Sequence, residues 1–84
     1  QRYVVGKYFE DKLLNILENL IRAYYQKDKL ALLNQINVEL DVVRYFIRLS
    51  LDLKLSTVKH YEYAAKSLQE IGRQLGGWIK SQSK

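Results

Sequence analysis

Cysteine and proline are both absent from this sequence, and only four of its 84 residues are glycine. Without cysteine, the chain forms no disulfide and no cysteine-based metal site, which is consistent with a reducing compartment. We therefore expect a cytoplasmic protein. Without proline, and with so few glycines, the sequence holds few signals that break a helix, so it predicts an all-helical fold.

Long apolar runs and catalytic constellations are missing as well. No run of about 18 apolar residues occurs, so we expect no membrane-spanning segment. The single histidine, His60, has no acidic or histidine neighbours at metal-ligand spacing. We interpret it as an exposed helical residue, and we expect no metal, no cofactor and no enzymatic activity. Methionine is absent even from position 1, so we expect residues before Gln1 in the natural protein.

Apolar residues recur at helical spacing in three stretches. They predict helices over about residues 3–26, 29–53 and 57–79, with Asp28 and Ser56 as N-caps of the second and third. The short connections predict one domain over residues 1–84, an up-and-down antiparallel helical bundle. The first helix carries two adjacent apolar stripes, so we expect it to contact at least two other helices. These stripes are Phe9, Leu13, Ile16, Leu20 and Tyr24, and Leu14, Leu17 and Ile21.

The stretch from Glu70 to Lys80 holds three of the four glycines and the only tryptophan. Glycine inside a helix costs about 1 kcal/mol relative to alanine. Gly72 and Gly76 lie four residues apart and so on one helical face, where we predict the close approach of a neighbour in packing or assembly. Trp78 is the predicted apolar anchor beside them. The alternative is a frayed helix end with an exposed tryptophan.

The formal net charge of +5 permits a polyanionic partner without requiring one. Four basic residues recur at spacings of seven along one face of the third helix: Lys59, Lys66, Arg73 and Lys80. They are the best candidates for nucleic-acid binding in the chain. An ordinary solvated helix face has the same pattern, and lysine is common on such faces.

A second basic pair lies on the outer face of the second helix. Arg44 and Arg48 are flanked by Asp41 and Asp52 at spacings of three and four residues. The four side chains form either a ladder of salt bridges or a pair of arginines that faces phosphate or a partner. The acids favour the ladder because they neutralise the patch.

Several stretches together resemble one known family. They are the aromatic–glycine opening at 1–6, the segments 27–33, 44–55 and 61–63, and, most specifically, the ending Glu-Ile-Gly-Arg-Gln-Leu-Gly-Gly-Trp-Ile-Lys at 70–80. The chain is similar along essentially its whole length to the Avd-type four-helix bundle proteins, the accessory variability determinants of diversity-generating retroelements. These are relatives of the small bundles encoded by ribosomal-RNA intervening sequences. The Gly-Gly-Trp ending favours the Avd branch.

The resemblance implies both an architecture and partners. The family pattern has one more helix before the aromatic–glycine opening, and this sequence lacks it. The resemblance implies four-helix bundles that assemble as a ring-like pentamer, with a basic surface that binds a reverse transcriptase and its template RNA. It implies no catalytic residue. The alternative is a structural or protein-interaction bundle of the intervening-sequence type, with no direct RNA role.

Overall fold

Three α-helices make up the fold in the computed structural model, which describes residues 2–82. They are α1 (Arg2–Tyr25), α2 (Leu30–Asp52) and α3 (Val58–Gln82). No strand occurs between residues 2 and 82, so the predicted all-helical class is confirmed. The predicted single domain also includes residues 1, 83 and 84, which lie outside the described residues. Gly76 and Gly77 lie inside α3. Neither adopts the positive φ of a left-handed cap, so neither ends the helix.

α2 lies between the other two helices and supplies most of the core. α1 and α3 each contact α2, whereas within residues 2–82 no Cα atom of α1 lies within 8 Å of one in α3. The connections are only four and five residues long and the molecule measures 42 × 18 × 15 Å, so successive helices run antiparallel. The core residues are Leu33, Ile36, Leu40, Val43 and Ile47 of α2, Ile16 and Ala23 of α1, and Leu68 and Leu75 of α3.

α1 packs on the core through four members of its first predicted apolar stripe, Phe9, Leu13, Ile16 and Leu20, whereas the fifth, Tyr24, is exposed. The Lys12 ammonium lies 3.7 Å from Glu39 Oε2, and the Tyr8 and Phe46 ring centroids are 4.2 Å apart. The second stripe, Leu14, Leu17 and Ile21, is exposed. Within residues 2–82, α2 is the only helix with Cα atoms close to those of α1, so the expected second neighbour of α1 stays a prediction.

The helix N-termini differ from the prediction in how they are capped. Lys29 precedes α2 and makes no capping hydrogen bond through its side chain, while the Asp28 carbonyl accepts a 2.9 Å hydrogen bond from the Gln26 side chain. At the start of α3, Thr57 Oγ1 accepts a 3.1 Å hydrogen bond from the backbone N–H of His60. Thr57 is therefore the N-cap instead of Ser56, which lies one residue too far from the free N–H groups of the first turn.

α2 ends in a Schellman motif. The backbone N–H of Lys54 donates to Leu51 O at 2.9 Å, and that of Leu55 donates to Ser50 O at 2.8 Å. The motif requires a left-handed residue, which here is Lys54 with φ 61°. A residue with a Cβ atom costs about 1–2 kcal/mol in this conformation, and glycine avoids that cost.

We expect Lys54→Gly to raise the free energy of unfolding by about 1 kcal/mol, because glycine adopts the left-handed region without strain. Urea unfolding followed by circular dichroism measures the change. The matched control is Lys66→Gly in the exposed interior of α3, which we expect to lower the same quantity by about 1 kcal/mol. A Lys54→Gly protein no more stable than the wild type would contradict strain at this turn.

Candidate nucleic-acid interface

Four exposed basic side chains follow the outer face of α3, away from its buried residues Leu68 and Leu75. They are the predicted Lys59, Lys66, Arg73 and Lys80. The 21 helical steps from Lys59 to Lys80 span about 32 Å at 1.5 Å per residue. With these four cations and two acids, Glu62 and Glu70, α3 carries two net positive charges without His60 (4 − 2 = 2).

Arg73 is the one member of this line that an acid neutralises. Its Nη2 lies 2.6 Å from Glu70 Oε2 and its Nε lies 3.2 Å from Oε1, so the contact is bidentate. The hydrogen bonds from Arg73 and Gln74 lower the pKa of the Glu70 carboxyl to about 2. Glu70 therefore stays ionised at any physiological pH. The stabilisation it provides is present above its ordinary pKa and is lost as the pH falls through about 2.

Lys59, Lys66 and Lys80 form no ion pair with any residue that the structure describes. Glu62 lies three residues after Lys59 and four before Lys66, but bridges neither of them. We call these three exposed lysines the lysine line. It concentrates the uncompensated positive charge of α3 on one helix face.

Arg44 and Arg48 on α2 each bind an acid of their own helix. Arg44 Nη1 lies 2.7 Å from Asp41 Oδ1, and Arg48 Nε lies 3.3 Å from Asp52 Oδ1. Exposed pairs of this kind contribute about 0.3–0.5 kcal/mol. Of the two interpretations of this patch, the geometry is that of the salt-bridge ladder.

Arg44 also covers Gly72. A Cβ atom at Gly72 would overlap Arg44 Nη2 and lie 3.4 Å from Arg44 Cζ. The same Nη2 donates to the Leu68 carbonyl at 3.5 Å. The neighbour that comes close to this glycine is thus a guanidinium group of α2, and the absent Cβ leaves room for it.

Gly76 and Trp78 have different surroundings. A Cβ atom at Gly76 would meet nothing within 4 Å. Trp78 is half-buried against the core, and the ammonium of Lys29 lies 5.5 Å from its ring centroid. A cation over an aromatic face at a partly exposed site contributes about 0.5–1 kcal/mol. Gly72 therefore meets Arg44 of α2 and Trp78 meets Lys29 just before α2, whereas the predicted close neighbour of Gly76 is absent from the described residues, because open space surrounds its Cβ position.

An apolar groove lies between α1 and α3, and Ile47 and Ser50 of α2 line one end of it. One end, of about 360 Å³, is lined by Phe9, Ile47 and Ala64 among others, and the other, of about 390 Å³, by Leu20, Ile71 and Trp78. We call it the α1–α3 groove. Elsewhere on α1, four apolar side chains are more than half exposed, namely Leu14, Leu17, Ile21 and Tyr24.

A second apolar stripe on α2 was missed by the reasoning from sequence. It lies on the side of the helix opposite the core and ends at the C-cap residue Leu53, and all its members are exposed: Val38, Val42, Tyr45, Leu49 and Leu53. We call it the outer α2 stripe. Its spacings of four, three, four and four residues are typical of a helix face and could have been found in the sequence. They were overlooked because the buried stripe of the same helix has a more regular pattern.

Residues 2–82 bring together no group of three or more histidine or acidic side chains that could hold a metal ion. His60 is exposed at one end of the α1–α3 groove. None of the three helices, over the residues described, has the length and apolar character needed to cross a membrane.

These features define a small helical bundle with a basic face on α3 and uncovered apolar surfaces on α1 and α2. A family model described as bAvd-like matches residues 1–82. The chain therefore belongs to the bAvd-like family, and its resemblance to Avd-type proteins is confirmed. A search of curated proteins and a search of solved structures each gave no match. The relation to intervening-sequence proteins stays a prediction.

The Gly72–Arg44 contact predicts coupling between two substitutions. Gly72→Ala gains about 1 kcal/mol of helix propensity but displaces the Arg44 guanidinium, so we expect a smaller net gain in the wild-type background. In an Arg44→Ala background, we expect the full gain. A double-mutant cycle of unfolding free energies should give a coupling of about 0.5–1 kcal/mol.

Gly76→Ala is the matched control for that cycle, since open space surrounds the added methyl group. Its stabilisation should be the same with and without Arg44. If Gly72→Ala changed the free energy of unfolding equally in both backgrounds, the position of the Arg44 guanidinium would not depend on the missing Cβ atom at Gly72.

Proposed function

We propose that this chain is the helical body of a non-enzymatic accessory protein of a diversity-generating retroelement, where it binds template RNA and the reverse transcriptase. Membership of the bAvd-like family supports the retroelement setting. The observation that carries RNA binding is the lysine line, because Lys59, Lys66 and Lys80 are exposed cations without an ionic partner among the described residues. The docking on the reverse transcriptase rests on the family alone.

The proposed contact with RNA is electrostatic. Lysines seven residues apart are about 10 Å apart along a helix, so each ammonium reaches a different phosphate. A lysine presents a point charge and contacts phosphate oxygens without reading bases. We therefore propose binding with little sequence preference, driven by the release of counterions from the RNA.

We further propose that a fourth helix covers the α1–α3 groove and completes a four-helix bundle. The separation of α1 from α3 and the apolar lining of the groove support this step, since an uncovered surface of this kind marks a contact site. Its occupant is the helix that precedes the aromatic–glycine opening in the family pattern. Assembly of several such bundles, with the ring-like pentamer that the resemblance implies, belongs to the same proposal.

A structural or protein-interaction bundle of the intervening-sequence type is the second candidate. The salt bridges of Arg44, Arg48 and Arg73 favour it, because they neutralise half of the six basic residues predicted to bind nucleic acid. A reverse-transcriptase gene beside the gene for this chain would favour the accessory protein. A locus inside a ribosomal-RNA gene would favour the structural bundle.

Neutralising the lysine line should weaken RNA binding and its dependence on salt. We expect Lys59→Gln, Lys66→Gln and Lys80→Gln together to reduce the slope of log affinity against log salt by about 2, at about 0.7 per lost phosphate contact on single strands. Fluorescence anisotropy of a labelled single-stranded RNA over a salt series measures both quantities.

Two single variants serve as controls for that measurement. Arg48→Gln removes a cation that Asp52 already neutralises, so we expect the salt slope to stay the same. Glu70→Gln releases Arg73 from its acid, so we expect tighter binding. Affinity that is independent of salt and unchanged in the triple variant would exclude the electrostatic mechanism.

Covering the α1–α3 groove should change the environment of the only tryptophan. We expect Trp78 to emit at shorter wavelength when the protein is produced from its natural start than when it is produced as the 84-residue chain, because a fourth helix removes water from the ring. Binding of an apolar fluorescent dye should fall in parallel. Identical emission and dye binding in the two proteins would argue against a helix in this groove.

A further inference from the structure

Tyr63 lies within the lysine line, and an electrostatic contact with phosphate gives it no role. It follows Lys59 by four residues and precedes Lys66 by three, so the three side chains share one face of α3. Its side chain is 78% exposed, and within residues 2–82 no other aromatic ring or cation stacks on it. An aromatic ring between two exposed cations is therefore left without a partner inside the described chain.

The neighbours of Tyr63 distinguish it from a tyrosine that is equally exposed on another helix. On a helix, the side chains beside a residue are those three and four positions away. Around Tyr63 these are two lysines, a histidine and a serine, and none is acidic. Tyr45 on α2 is 80% exposed, but its neighbours include Asp41 and an arginine that Asp52 neutralises. The surface around Tyr63 thus attracts phosphate, and the surface around Tyr45 does not.

We propose that Tyr63 stacks on an unpaired base while Lys59 and Lys66 bind the phosphates on either side of it, so that this part of the lysine line selects single-stranded over duplex RNA. This step rests on the RNA binding proposed for the lysine line. Along the helix axis, Tyr63 lies about 6 Å from Lys59 and about 4.5 Å from Lys66, at 1.5 Å per residue. The flexible stem of each lysine lets its ammonium group reach a phosphate beside the stacked nucleotide.

The selection depends on which parts of an RNA an exposed ring can reach. A base inside a duplex is covered on both faces by its neighbours, whereas a base in a single strand, a loop or a bulge can leave the stack and expose a face. Every base has such a face, so stacking tolerates any sequence. The lysines contact phosphate in both kinds of RNA. Charge therefore supplies affinity for any RNA, and the ring supplies the preference for unpaired bases.

Replacing the ring tests this proposal. A labelled RNA of mixed sequence is used as a single strand and as a duplex with its complement, and fluorescence anisotropy gives both affinities. We expect Tyr63→Leu to weaken single-strand binding by at least about 5-fold, the lower limit for the loss of one stacked base, and to leave duplex binding nearly unchanged. Tyr63→Phe retains the ring, so we expect it to retain the wild-type preference for the single strand.

Tyr45→Leu is the matched control, because it removes an equally exposed tyrosine from a helix that contains no lysine. We expect both of its affinities to equal those of the wild type. Tyr63 also lines one end of the α1–α3 groove, so all proteins are produced from their natural start, with any helix that covers the groove in place. Circular dichroism checks that each variant is folded.

A salt series separates base stacking from binding by the lysine line alone. Tyr63→Leu removes no phosphate contact, so the slope of log affinity against log salt should keep its wild-type value. Salt-dependent binding that Tyr63→Leu weakens equally for both RNAs, or does not weaken, would overturn the stacking and leave the electrostatic contact in place. A wild-type protein without salt-dependent affinity for RNA would overturn both.

Discussion

The buried stripe of α2 is the constraint on which the rest of the molecule depends. Full burial of a leucine or isoleucine side chain contributes about 1.5–3 kcal/mol, and α2 places Leu33, Ile36, Leu40, Val43 and Ile47 in the core. Because α1 and α3 both pack on this one helix and not on each other, three helices occupy three corners of a bundle. The α1–α3 groove is the consequence, since no residue of the described chain fills the fourth corner.

The spacing of acidic and basic residues along each helix determines which arginines form salt bridges. Arg44, Arg48 and Arg73 each have an acid three or four residues away and bind it. These exposed pairs contribute little to stability, but they remove positive charge from two faces of the bundle. The lysine line keeps its charge because Glu62 bridges neither neighbouring lysine and no acid lies within four residues of Lys80. The unpaired cations that follow one helix face therefore lie on α3, while Lys27 and Lys54 are exposed in the connections without an ion pair among the described residues.

The contact between Gly72 and Arg44 involves both the packing of α3 on α2 and the pairing of charges. A glycine inside a helix sacrifices helix propensity, and here the space that it leaves holds a guanidinium group from α2. The same guanidinium binds Asp41 on its own helix and the Leu68 carbonyl on α3. One arginine thus links two helices at the edge of the core. Lys29 and Trp78 form a second link between these elements at the other end of α2.

The sequence by itself determined the all-helical class, the approximate extent of three helices, the core face of α2 and the family, because helical periodicity, the lack of breakers and the Gly-Gly-Trp ending are local properties. It also located every cation of α3. Only the tertiary structure decided which cations stay unpaired, that an arginine covers Gly72, that Thr57 caps α3, and that the second stripe of α1 and the outer stripe of α2 are exposed. These features depend on which helix lies beside which face, and periodicity along one helix carries no information about its neighbours.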